Sequence, residues 1–270
     1  METENEITES VFTSDDDDFN TTGFNCAIKI ISKSLFWERV RERSERVDTL
    51  VRETAVHATI TAHSKRMRQS SPFLKLHHFF ETRESVVLEL ELLDGTDLFQ
   101  YIDARGSLLE SEAASIMKDI LECLLLTERL GVAHRDIKPA NILMCNKTDH
   151  GAQVKVGDFG MSTFVNVDGL VRGRCGTPGY VAPEIFNATA SVGYRNKVDM
   201  FSAGVTLYVL LCGYEPFYGE TDAELMDTNK AAKIEFIDGD WEHGKSNLCI
   251  KIEQIVSKYD VYIQYVLCST

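Results

Sequence analysis

Asp136, Lys138 and Asn141 fall inside one eight-residue stretch, HRDIKPAN (134–141), and Asp158 follows seventeen positions after Asn141 in the tripeptide DFG. Pro139 removes a backbone donor and favours a loop. A carboxylate held on such an irregular stretch, Asp136, can take a proton from an incoming hydroxyl. The amide oxygen of Asn141 and the carboxylate of Asp158 are hard-oxygen donors suited to Mg²⁺. Lys138 supplies positive charge where a transferring phosphoryl group builds up negative charge. Gly160 is expected to let the chain turn directly after the metal carboxylate. The chemistry this set fits is phosphoryl transfer. No pair of histidines or cysteines suggests a metal other than Mg²⁺.

Those groups need elements to hold them. FNCAIKII (24–31) is β-branched and apolar enough for a strand, with turn material, TTG, before it. From about Trp37 to Ile60 a charged amphipathic stretch predicts one long helix, with Val47, Leu50, Val51 and Ile60 near helical spacing. AHSKRMRQSSP (62–72) reads as a basic loop, and VVLELELL (86–93) as a strand that DGTD turns out of. Ala113, Ile116, Met117, Ile120, Leu121 and Leu124 make the buried stripe of a helix running to about Leu130. NILMC and VKVGD predict short strands around a loop insertion, NKTDHGA. DMFSAGVTLYVLLC (199–212) is almost wholly apolar, which implies a helix buried at the centre of a helical lobe. Strand and helix first, mainly helices afterwards, predicts an α+β fold of two lobes, a small β-rich one and a larger helical one.

The bulk composition sets outer limits. At 270 residues the chain can form one large domain or two lobes with a cleft, and 44% hydrophobic with 26% charged residues fits a globular protein. Asp and Glu number 42 against 28 Lys and Arg, a formal charge of -14. That balance argues against nucleic acid or an anionic membrane as partner and suits a basic protein substrate, though it also serves solubility. METENEITES has neither the basic nor the apolar region of a secretory signal. No apolar run approaches the roughly 18 residues of a membrane helix. Seven scattered cysteines read as reduced thiols, so a cytoplasmic location, with the nucleus as a second option, is the expectation.

Five strings in order, CAIKI (26–30), HRDIKPAN, DFG, GTPGYVAPE (176–184) and DMFSAG (199–204), resemble the signature set of eukaryotic serine/threonine protein kinases over roughly residues 19–243. GYVAPEIF with VTLYVLLCGYEPFYG is similar to the calcium/calmodulin-dependent group. The resemblance implies a bilobal fold, with an N-lobe over 19–93 and a C-lobe over 94–243. It implies ATP and Mg²⁺ as cofactors and transfer of the γ-phosphate to serine or threonine hydroxyls of a protein substrate with nearby basic residues. Lys29 would hold the α- and β-phosphates and pair with a helix-borne acid, Glu53 or failing it Glu45. Asp136 would be the catalytic base, with Lys138 beside the γ-phosphate and Thr177 orienting the base. Asn141 and Asp158 would ligate Mg²⁺. Leu90 would back the adenine pocket, backbone groups of Glu91 and Leu93 would meet the adenine edge, and Asp97 would reach the ribose. His134 and Phe159 would pack as spine residues, and Asp199 would tie the backbone of the HRDIKPAN loop.

The resemblance thins at both ends. The only glycine before Lys29 is Gly23, so no glycine-rich phosphate loop is visible, and Val11 in ESVF becomes the candidate adenine roof. Residues 1–18 form an acidic segment ending in DDDD, whose charge would repel phosphates. After GDWE (239–242) the family's last helices are not recognisable, and 244–270 reads as a divergent tail. No arginine follows Arg195, so Glu184 would lack its usual partner. Arg135 would await a phosphothreonine, but that position holds Gly173; Ser162 and Thr163 are poorly placed, and Asp168 is the nearest fixed negative charge. The alternative reading is therefore a catalytically impaired kinase-like docking or regulatory module.

Overall fold

The computed structural model describes residues 25–64, 71–148 and 151–234. Strand β1 (Cys26–Ser32), helix α1 (Lys33–Arg41), helix α2 (Thr49–Ser64), and strands β2 (Leu76–Glu81) and β3 (Ser85–Glu91) form the first lobe. Its sheet is antiparallel in the order β1-β3-β2. Lys29 lies opposite Leu88, and Ala27 opposite Leu90. Side chains alternate along a strand, so Ala27 and Lys29 share a face.

The single long helix anticipated over 37–60 is instead two helices. Residues 42–48 (ERSERVD) break it, with Arg43 in the left-handed region at φ 61. The anticipated stripe fails in part for the same reason: Val47 and Val51 are 60% and 74% exposed, while Ile60 is buried. The buried stripe of α2 is Glu53, Val56, His57, Ile60, Thr61 and Ser64, spaced as one helical face. Strand β2, LHHFFE, was not anticipated, because only Leu76 in it is buried and no alternation shows. The basic loop from 62 is α2 up to Ser64; residues 65–70 lie outside those described.

The second lobe opens with α3 (Leu98–Asp103) and α4 (Glu110–Arg129), then β4 (Val132–Ala133), β5 (Ile142–Thr148), β6 (Gly151–Val156) and β7 (Thr163–Phe164). Where a loop insertion was expected at NKTDHGA, β5 and β6 extend towards each other as an antiparallel pair. Helix α5 (Val198–Cys212) is buried from Val198 through Leu211, and α4 packs against it. It stops at Gly213, whose φ of 83 ends the helix in the left-handed manner that glycine adopts freely. Helix α6 (Asp222–Ala231) is capped by Thr221, whose hydroxyl accepts the Glu224 N–H. No helix among the described residues is long and apolar enough to cross a membrane.

Candidate active site

The candidate base position is followed, after Ile137 and Lys138, by a short 3₁₀ turn, Pro139–Asn141, with proline where a helical turn has a spare N–H. Asp136 is 4% exposed and every side of it is engaged. Its Oδ1 accepts the Thr177 hydroxyl at 2.6 Å and the Thr177 N–H at 3.1 Å. Its Oδ2 accepts the Asn141 amide at 2.8 Å and faces Lys138 Nζ at 3.2 Å. Lys138 also donates to the Thr177 hydroxyl at 2.6 Å. Asp136, Lys138, Asn141 and Thr177 therefore form one bonded unit, although Thr177 is 41 positions away in sequence. Asn141 turns its NH₂ towards Asp136 (the backbone carbonyl also accepts, at 2.8 Å), which leaves its side-chain oxygen as the end suited to a cation.

Two bonds join this turn to DFG. The Gly157 N–H donates to Asn141 O at 2.9 Å, and His134 Nε2 donates to Gly157 O at 3.0 Å. The turn anticipated at Gly160 is present over residues 160–161, and the left-handed backbone there falls on Asp158, at φ 50. Gly160 serves differently: a Cβ on it would sit 3.3 Å from Asp158 Oδ1, and its N–H donates to that oxygen at 3.3 Å. Strain in a non-glycine residue costs about 1–3 kcal/mol and survives only where surrounding contacts enforce it.

Lys29 supplies that enforcement. Its Nζ lies 2.8 Å from Glu53 Oε1 and 3.2 Å from Asp158 Oδ1. Burial alone would lower the Lys29 pKa, but Glu53 and then Asp158 outweigh it and raise it above the ordinary lysine value. Burial would raise the Asp158 carboxyl, yet Lys29 and the Gly160 N–H hold it below the usual range, so it stays ionised. Glu53, not Glu45, is the partner of Lys29, because Glu53 begins the buried stripe of α2. Glu45 lies ahead of that helix and accepts the Thr49 hydroxyl at 2.6 Å.

Beneath the site a column of rings ties the lobes together. Phe159 lies 4.5 Å from His57, 5.2 Å from His134 and 6.0 Å from Phe73, centroid to centroid. Asp199, buried in α5, accepts the backbone N–H groups of His134 and Arg135, both at 2.7 Å. Burial pushes the Asp199 carboxyl up, against the pull of His134 and those two N–H bonds. His57 was not singled out from the sequence; its place four residues after Glu53 on the same face was the available signal. Its Nε2 donates to Leu74 O at 2.8 Å, and burial pushes its pKa down to about 4. Asn229 was also missed. It is wholly buried on α6, accepts the Gly179 N–H at 3.1 Å and donates to Val181 O at 2.8 Å, bracing the GTPGYVAPE segment. A lone asparagine on a weakly patterned helix carried no signal.

The remaining positions lie along the hinge between lobes. Glu91 ends β3; its N–H already donates to Lys75 O at 2.9 Å, and its carboxylate meets Lys155 at 2.5 Å, so only its carbonyl could meet a ligand. Leu93 follows, half-buried, outside regular structure. Asp97 caps α3, accepting the Gln100 N–H at 2.8 Å, which commits one carboxylate oxygen and leaves the other. Val11, Gly23 and the DDDD stretch lie outside the described residues, as do GDWE and the tail from 244. Glu184 is half-buried and does take part in a polar interaction, so the penalty expected for an unpaired carboxylate does not arise. Asp168 pairs with Arg172.

A two-lobed fold whose facing loops pair a buffered carboxylate with hard-oxygen donors and a fixed lysine–glutamate pair defines a phosphotransferase class. The protein kinase domain family matches residues 19–259, and the chain belongs to that family. It is 36% identical over 215 residues to myosin light chain kinase A of Dictyostelium discoideum, covering 80% of this chain and 67% of that one. Calcium/calmodulin-dependent protein kinase type 1 of Macrobrachium nipponense is 38% identical over 177 residues, 66% of this chain and 50% of that protein. The human calcium/calmodulin-dependent protein kinase type IV is 42% identical over 161 residues, 59% and 33% respectively. The chain thus spans between a third and two thirds of the length of these relatives.

Proposed function

We propose that the chain transfers the γ-phosphate of ATP to serine or threonine hydroxyls of protein substrates. The observation that carries this is the bonded unit around Asp136, with Thr177 and Asn141 fixing both carboxylate oxygens. Asp136 accepts the proton of the attacking hydroxyl, and Thr177 keeps the carboxylate aimed. Lys138 balances charge on the moving phosphoryl group, and Lys29 anchors the other phosphates. Asn141 and Asp158 would hold Mg²⁺; two protein oxygens suffice for an ion that is completed by substrate phosphates and water. When bound, the ion neutralises charge on the phosphates. Asp158 is ionised and half-exposed at 44%, which suits it to that task. The carbonyl of Glu91 and the backbone of Leu93 meet the adenine edge, and the uncommitted oxygen of Asp97 reaches the ribose.

A chain whose only role was docking would have no use for this set, and nothing in the fold or the comparisons favours that reading. The acidic surface supports basic residues near the target hydroxyl, and charge and thiol usage support a cytoplasmic location. The test is transfer of labelled γ-phosphate to a mixed peptide library, with Asp136→Asn beside the parent chain. Loss of about 10² to 10⁴-fold in rate is expected for the variant, the range of general-base contributions. Undiminished transfer by Asp136→Asn would remove the base from this mechanism.

A further inference from the structure

The end of α1 and the turn that follows it run against the charge of the chain. RVRERSER (39–46) holds four arginines and two glutamates around one serine, Ser44, in a chain whose formal charge is -14. Arg39, Arg41, Arg43, Ser44 and Arg46 are all exposed. Arg43 takes the left-handed backbone, at φ 61, where the chain leaves α1. Ser44 is tied to Arg39 O, which accepts its N–H at 3.0 Å and its hydroxyl at 3.1 Å. No other exposed serine or threonine among the described residues has more than one arginine within three positions. Among the described residues no carboxylate forms an ion pair with Arg39, Arg41 or Arg43.

The opposite charge lies beside the transfer site. GYEPFYGETDAELMDT (213–228) carries five carboxylates and no basic residue. All five, Glu215, Glu220, Asp222, Glu224 and Asp227, are exposed, and none forms an ion pair among the described residues. They are anchored to the GTPGYVAPE segment. The buried Tyr180 donates its hydroxyl to Glu215, and Asn229 of α6 holds Gly179 and Val181. Thr177, at the start of the same segment, is bonded to Asp136. A basic chain drawn to these carboxylates therefore arrives beside the candidate base.

We propose that Ser44 is a phosphorylation site, modified by a second copy of this same chain. The inference rests on the transfer activity proposed above and names one substrate for it. Ser44 Oγ attacks the γ-phosphorus of ATP and its proton passes to the partner's Asp136. The bond from the γ-phosphorus to the oxygen it shares with the β-phosphate breaks, and ADP leaves. The arginines of one copy meet the carboxylates of the other, because the two sets form no ion pair within one chain. Surfaces of opposite sign steer the encounter and fix its register. Four arginines against two glutamates give residues 39–46 a formal charge of +2. One phosphate, at about -2, cancels it, so the product loses its attraction and leaves.

The experiment incubates the full chain with Mg²⁺, γ-labelled ATP and an acceptor copy carrying Asp136→Asn, lengthened by a tag so that the two separate by mass. A parallel reaction holds the mixed peptide library in place of the acceptor. Phosphopeptide mapping is expected to put the label on Ser44 of the acceptor, at an initial rate proportional to acceptor concentration. Ser44→Ala in the acceptor should remove that label. Arg41→Gln/Arg43→Gln in the acceptor should slow it about tenfold or more at low salt, within the range that electrostatic steering adds to association. Mapping of the acceptor with Ser44 in place decides the site even where a further substitution prevents folding. A labelled library with no label on Ser44 overturns the proposal, as does label on Ser44 of the active copy alone at a rate independent of concentration. Undiminished labelling of the folded arginine variant overturns the charge-guided recognition the proposal depends on. Label on neither library nor acceptor overturns the transfer reading, and this proposal with it.

Discussion

At the residue scale, function rests on side chains whose charge state is set by burial and by the groups in direct contact with them. His57 gives a measurable case. Buried, and donating to Leu74 O, it is held neutral in the folded protein with its pKa near 4 against an ordinary 6.5. The unfolded chain takes up a proton near pH 6.5 and the folded one does not until about pH 4. The stability that neutral His57 preserves is therefore whole above pH 6.5 and is lost as pH falls towards 4. From pH 7 to pH 5 this residue alone should lower stability by about 2 kcal/mol. Urea unfolding at the two pH values should show that drop, and His57→Leu should shrink it; an unaltered slope would acquit His57. Because its ring packs against Phe159, centroids 4.5 Å apart, the same protonation should disturb the DFG turn.

At the scale of elements, a few backbone geometries decide whether the side chains meet. The segment carrying Thr177 enters through Gly176, at φ 121, where an added Cβ would fall 2.8 Å from Val181 Cγ2 and 3.0 Å from Arg135 O. Neither neighbour can yield freely, since one is packed and the other is backbone. Gly176→Ala should cost about 1–3 kcal/mol and depress turnover further, by swinging Thr177 away from Asp136. Chemical denaturation read together with kcat checks both halves. A variant with full stability and full turnover would show that the segment tolerates the side chain. Helix α5 plays the complementary part, because its buried Asp199 holds the backbone before Asp136 from below.

For the molecule as a whole, the acidic surface should select substrates. Peptides with arginine or lysine near the target serine are expected to be phosphorylated at least tenfold faster than acidic ones at low salt. The difference should narrow as ionic strength rises and shortens the reach of surface charge. Equal rates on both peptide sets at low salt would refute this. What the sequence determined by itself were the parts encoded within single segments. The candidate base, the lysine beside it, the hard-oxygen donors and helix α5 all stand in strings whose residue types carry the chemistry or the burial pattern directly. Only the tertiary structure decided the rest. It chose Glu53 over Glu45, divided one expected helix into α1 and α2, put the left-handed turn on Asp158, and set His57 against Phe159. The physical reason is distance along the chain. Lys29 meets Glu53 and Asp158 across 24 and 129 positions, and such contacts follow from which faces are buried together, a property no local spacing contains.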